Sequence, residues 1–250
     1  MPILAAARSA GRTEDAAIAP HPVAPRVLAV AAVVAALAGC GSQPQQNQPD
    51  ARALLLQAKR IIDGAPSLHF TLSSSGAQGS GTVISSGEGD ARRPDGFTGT
   101  LVVMQSGFTV RVGIVSLHGV FEVKLPLATT YVATDPSTYG FGDPATLLDP
   151  DKGLSSLLVE ATSAATASRD RLRGEELDEV DVTLPGARVA ALLTSADKSQ
   201  PVKGRIGIAA STRQIRRVVL TGPFFDARRE STYTLVLDSY GENVTITPPA

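Results

Sequence analysis

FTVRVGIVSLHGVFEVKL, Phe108 to Leu125, alternates apolar and polar side chains along two arms separated by His118-Gly119. Phe108, Val110, Val112 and Ile114 share one face, with Thr109, Arg111 and Gly113 opposite. Phe121, Val123 and Leu125 repeat the pattern against Glu122 and Lys124. A period of two predicts strands with one buried face. The breaks at Ser106-Gly107 and His118-Gly119 are too short for a crossover helix, so the strands must run antiparallel.

The same reading extends outward in both directions. Upstream, Leu68-His69-Phe70-Thr71-Leu72-Ser73 alternates cleanly, and the Gly/Ser-rich Ser73 to Gly89 has room for short strands around Gly79 to Ile84. Before it, ARALLLQAKRIIDG follows Asp50, a good N-cap, and places Leu54, Leu55, Ala58, Ile61 and Ile62 at helical spacing. Gly64 and Pro66 end that helix. Downstream, three Asp-Pro steps (135-136, 143-144 and 149-150) punctuate short helical pieces, with Asp143 as cap and Pro144 at the first helical position. A helix is expected over Gly153 to Ala167, with Leu154, Leu157, Leu158 and Ala161 on one side. Glu179 to Leu184 reads as a strand, and Gly186 to Ala196 as a helix with Val189, Leu192 and Leu193 inward. Strands follow at Lys203 to Ala209, Arg213 to Thr221, Ser231 to Leu237 and Val244 to Thr247. The order predicts an α+β fold in which helices pack on one face of a large antiparallel sheet.

The N-terminal segment belongs to export rather than to the fold. Val27 to Gly39 is a small, apolar run preceded by Arg8, Arg12 and Arg26, too short for the roughly 20 residues a membrane span needs. Leu37-Ala38-Gly39-Cys40 is similar to the bacterial lipobox, in which the cysteine is acylated and becomes the new N-terminus. Cys40 is the single cysteine of the 250-residue chain, so the folded part is expected to hold neither a disulfide framework nor a cysteine metal cluster. The expected organisation is a signal peptide at 1–39, a lipidated cysteine with a flexible linker at 40–50, and one domain at 51–250. The Gln-rich linker reaches about 30 Å when extended. The protein is expected outside the cytoplasm, held by acylated Cys40 on the outer leaflet of the cytoplasmic membrane, facing the periplasm-like space or cell wall.

Loss of 1–39 removes three of 23 basic and two of 24 acidic residues, which leaves 20 and 22. That near balance, with interspersed signs, argues against a nucleic-acid partner. There is no tryptophan, and aromatics make up 4% of the chain, so the core must be aliphatic. Catalytic candidates are weak. Ser195-Ala196-Asp197-Lys198 matches the S-x-x-K of penicillin-recognising enzymes, but their SDN and KTG elements are absent. His69 and His118 stand on polar positions with no nucleophile elbow, and make a poor metal pair. Gly79-Ser80-Gly81 has no third glycine and no helix after it, so no nucleotide loop is expected. Arg213, Arg216, Arg217, Arg228 and Arg229 form either a solvated face or a contact for anionic headgroups. No enzyme, cofactor or metal is expected.

Leu125 to Leu158, LPLATTYVATDPSTYGFGDPATLLDPDKGLSSLL, resembles the central region of the actinobacterial LppX/LprA/LprF/LprG lipoprotein family. The family shows the same K-L-P strand end, D-P step, D-P-x-x-L-L-D-P turn and G-L-S-x-L-L helix. The tail LVLDSYGENVTITPP and Val182-Thr183-Leu184-Pro185-Gly186 are similar to further family segments. The resemblance implies a half-barrel with helices on its concave face, akin to LolA and LolB of the Lol system. It also implies a cavity for the acyl chains of di- or triacylated glycolipids or phospholipids. Members carry such cargo toward the outer membrane, some beside a major-facilitator exporter. On that reading Phe108, Val110, Val112, Ile114, Phe121, Val123 and Leu125 line the sheet side, and Leu147, Leu148, Leu154, Leu157 and Leu158 the helix side. The residues alone leave two classes open: a carrier with a hollow, and a tethered protein-interaction module with a filled core.

Overall fold

A computed structural model describes residues 50–76, 82–105, 107–226 and 228–249. The expected signal peptide, Cys40 and most of the linker therefore lie outside the described residues, as does the Gly79-Ser80-Gly81 segment.

The chain opens with α1 (Ala51–Gly64), whose N-terminus is capped by the Asp50 carboxylate accepting the Arg52 N–H. Its buried face is Ala51, Leu54, Leu55, Ala58 and Ile62, while Ile61 stays at the exposed margin. Five long strands meander next: β1 (Ser67–Ser75), β2 (Val83–Arg92), β3 (Gly96–Gln105), β4 (Phe108–Leu117) and β5 (Val120–Lys124). The short β6 (Val132–Ala133) leads into 3-10 turns at Pro136–Tyr139 and Pro144–Thr146, and then α2 (Ser156–Glu160). Beyond it come β7 (Ser163–Thr166), β8 (Asp170–Leu172), β9 (Glu175–Leu184) and α3 (Gly186–Leu192). The chain closes with β10 (Val202–Ala209), β11 (Ile215–Asp226) and β12 (Arg229–Asp238).

All the strands pair antiparallel in one sheet ordered β6-β5-β4-β3-β2-β1-β12-β11-β10-β9-β7, with β8 on β9. The first and last strands meet in the middle, with Phe70 opposite Leu237 and Leu72 opposite Leu235. Short strands stand at both ends, which limits the unpaired backbone that a sheet edge exposes. The sheet is curled into a half-barrel. Its concave face is covered by α1, the turn-rich segment before α2, α2 itself and α3, which share one continuous apolar core with it.

Glycines make that curl. One inward row runs Leu237, Phe70, Gly89, Gly99, Ile114, Val123 across six strands. A Cβ on Gly89 would lie 2.3 Å from the Thr98 carbonyl oxygen and 2.8 Å from Gly99 Cα. Only glycine permits that approach, and glycines inside strands mark such bends. Gly89 and Gly99 thus mark a bend where β2 meets β3.

Two expected elements differ. Within Gly153 to Ala167 only Ser156–Glu160 is helical; Ala161 turns extended and Ser163–Thr166 pairs with β9. The open edge of β9 offers ladder hydrogen bonds that an Ala- and Thr-rich segment takes readily, beginning with Thr162 N–H to the Thr183 carbonyl at 2.9 Å. Val244 to Thr247 is not a strand, because both edges of β12 are already occupied by β1 and β11. Ile246 and Val244 pack instead on Val115 and Leu117, the outward side chains of β4.

Candidate functional site

Between the sheet and its cover lies an apolar hollow. Its volume is about 140 Å3. Its sheet wall is formed by Phe70 and Leu72 of β1, Ile84, Phe97, Leu101, Ile114, Val218, Leu220, Tyr233 and Leu235. Its cover consists of Phe141 to Pro144, Leu147, Leu154, Leu157, Val189, Leu192 and Leu193. A much smaller space beneath α2, about 10 Å3, shares Leu154, Leu157, Val218 and Leu220 with the first. Leu158, Val182, Leu184 and Ile206 complete it.

Polar groups hold the cover in place. The Asp143 carboxylate accepts the Ser116 hydroxyl at 2.6 Å and the Ala145 N–H at 2.9 Å, tying one 3-10 turn to β4. On the other flank, Lys59 of α1 reaches Asp63 at 2.9 Å and the Pro150 carbonyl at 2.7 Å. Asp63 also accepts the Ser155 hydroxyl at 2.5 Å. An aromatic trio fixes the third point: Phe141 lies edge-on to Phe121 at 5.7 Å, with Tyr139 6.2 Å from Phe121.

The expected lining residues divide into three groups. Ile114, Leu147, Leu154 and Leu157 border the main hollow, and Leu158 borders the smaller one. Val110, Val112, Phe121, Val123 and Leu148 pack in the core without bordering the main hollow; Phe121 and Val123 stand near the β6 edge, where the aromatic trio fills the space. Phe108 and Leu125 are corrected outright, being 75% and 52% exposed. The apolar alternation continues to the ends of β4 and β5, but Phe108 begins its strand at the hairpin tip and Leu125 already lies past β5. What the sequence reading missed is the middle of the sheet: Phe70, Leu72, Leu220 and Leu235 line the hollow because β1 and β12 are neighbours. Their alternation was visible; their adjacency was not.

The charged surface is largely self-neutralised. Arg213 pairs with Asp178 at 2.6 Å, Arg216 with Glu175 at 2.8 Å, and Arg217 with both Asp170 and Glu179. The hydrogen bond from Arg217 holds the Asp170 carboxyl below its usual range. Three of the five arginines thus already have carboxylate partners, which weakens the expectation of headgroup contacts there. The histidines are likewise engaged, His69 with Asp90 at 2.9 Å and His118 with Asp95 at 3.1 Å. Ser195 Oγ is buried and completes no hydrogen bond with Lys198.

The model of the LppX_LprAFG lipoprotein family matches residues 50–246. The chain belongs to that family. Among its curated relatives is the lipoarabinomannan carrier protein LprG of Mycobacterium tuberculosis H37Rv. It is 24% identical over 229 residues, covering 89% of this chain and 92% of the relative. The protein of the same name from Mycolicibacterium hassiacum is 27% identical, covering 87% and 93%. LprF from Mycobacterium bovis has a similar fold, with a TM-score of 0.64 at 18% identity, covering 80% of this chain and 97% of LprF. LppX from Mycobacterium tuberculosis gives 0.58 at 17%, covering 79% and 98%. The family is one of lipoproteins, which places the protein with exported, envelope-associated proteins. Among the described residues no helix is long and apolar enough to cross a membrane.

Proposed function

We propose that this lipoprotein binds di- or triacylated glycolipids or phospholipids through their acyl chains and carries them across the envelope toward the outer membrane. It does so without catalysis, tethered by acylated Cys40. The observation that carries the reading is the hollow between sheet and cover, walled by hydrocarbon on both sides. Each methylene buried there contributes about 0.8 kcal/mol, so one long acyl chain supplies on the order of 10 kcal/mol before the costs of association.

The closed form is smaller than its cargo. A volume of about 140 Å3 matches a cavity that takes a benzene-sized guest, roughly 150 Å3. Whole acyl chains therefore require the cover to move. Leu154 and Leu157 border both hollows, so displacing α2, a five-residue helix without a side-chain cap, would merge them.

Native mass spectrometry of protein purified gently from its own host's envelope tests this. A reproducible mass increment is expected that disappears on organic extraction, with an acylated lipid in the extract. A clean lipid-free mass from several preparations, with no uptake of added glycolipid, would sink the carrier reading and leave the tethered interaction module.

A further inference from the structure

Exposed apolar side chains are crowded onto one end of the sheet. Of the eight large hydrophobics exposed among the described residues, four are Phe108, Leu125, Leu127 and Val132. Phe108 begins β4 at the tip of its hairpin with β3, opposite Gln105. The loop after β5 heads toward that tip, since Lys124 stands opposite Gly113 and the chain returns with Val132 opposite Val123. Leu125 to Thr134 contains no charged residue. The loop opens with a tight turn, closed by the Ala128 N–H donating to the Leu125 carbonyl at 3.1 Å. Pro126 takes its second position. Leu127, with a φ of 68°, takes the third, where the left-handed backbone ordinarily calls for glycine or asparagine. A leucine there is strained, and being fully exposed it gains no packing in return.

Apolar side chains held out at a cost and grouped together mark an interaction surface. The occupant that fits this one is a bilayer. At the base of the loop the Lys124 ammonium lies 5.8 Å from the centre of the Tyr131 ring. A cation beside an aromatic suits the headgroup level, beneath which leucines sink. Asp50, where the domain begins, stands ten positions after Cys40. A tether of that length keeps the start of the domain within about 30 Å of the membrane that holds the anchor. The hollow reaches the same end of the sheet. Leu72, Ile84 and Tyr233 line it within four positions of the ends of β1, β2 and β12, where Ser75 stands opposite Thr232 and Val83 opposite Met104. Resting on the carrier reading, we propose that Phe108, Leu125 and Leu127 insert into a bilayer surface and hold this end of the half-barrel against it. Cargo then passes between membrane and hollow without its chains crossing water.

Because the chain has no tryptophan, Leu127→Trp places a single probe on the loop of the full-chain protein. With vesicles of phosphatidylcholine and phosphatidylglycerol, its emission is expected to shift to the blue and to be quenched by acyl-brominated lipid. Val120→Trp, exposed at the β4-β5 hairpin on the opposite end of β4, should do neither. Quenching of neither probe, or of both alike, would overturn the docking face. Leu127→Gly gives the turn the residue it prefers and so keeps the fold. Its uptake of a fluorescent phosphatidylglycerol from vesicles is expected to fall about tenfold, the effect of withholding one leucine from the bilayer. Uptake of the same lipid delivered by cyclodextrin should match wild type. Undiminished uptake from vesicles, or an equal loss from both sources, would also overturn the proposal. If wild type takes up lipid from neither source, the carrier reading fails, and the quenching pair still decides whether this end meets a membrane.

Discussion

Tyr233 in the lipid-free protein holds a buried donor with no acceptor, at a cost of about 1–3 kcal/mol. Tyr233→Phe removes the donor and keeps the ring between Phe224 and Phe225. Calorimetry of lipid-free protein is expected to show a higher Tm, by about 2–4 °C for each kcal/mol recovered at this chain size. A lower Tm would mean that the hydroxyl has a partner after all, with Ser195 the neighbouring hydroxyl. At this scale the sequence was only partly legible. Ser195 stood out through the S-x-x-K spacing, but its neighbour is Tyr233, 38 positions further along the chain. No local pattern connects them. The alternating apolar positions of β4 and β5 likewise told which side chains face inward, and not which of them find cover.

Among the elements, the Asp-Pro turns were read correctly and the role of the glycine stretch was not. Asp135 is held below its usual pKa first by the Ser137 hydroxyl and then by the Ser137 N–H, and Asp149 chiefly by the Asp151 N–H. A carboxyl with a depressed folded-state pKa adds stability above its unfolded pKa, and this is lost as pH falls through the folded value. Tm is therefore expected to hold from neutral pH down to the ordinary carboxylate range and to fall below it. Asp149→Asn should reduce that dependence in a pH series of melting curves. In the sheet, Gly89→Ala would drive a Cβ against the Thr98 carbonyl and Gly99 Cα. Both contacts are backbone, so the two strands must part or flatten. The expected loss is about 1–3 kcal/mol in urea unfolding. Such a cost is invisible in a sequence where the Gly/Ser-rich stretch shows only room for short strands, not which backbone it will approach.

For the whole molecule, the hollow decides. Leu235 and Leu72 oppose one another at the centre of the sheet and are only partly buried despite facing the core. Leu235→Trp is expected to fill the space, lower lipid uptake at least tenfold, and cost no more than the roughly 1–3 kcal/mol of overpacking. The chain has no native tryptophan, so the introduced indole also reports lipid entry directly by its fluorescence. Unchanged uptake would place the cargo elsewhere. The amino-acid order alone determined that long strands pair antiparallel, that α1 begins at Asp50, and that short capped turns precede a Leu-rich helix, because periodicity and capping are local properties. It also carried the family motifs between Leu125 and Leu158. Only the tertiary structure decided that β1 and β12 meet at the centre, that facing glycines curl the sheet, and that the layers stop short of filling the space between them. The first depends on pairing between residues more than a hundred positions apart, the second on the register that sets Gly89 opposite Gly99, and the third on summed side-chain volumes; none of these leaves a periodic trace along the chain.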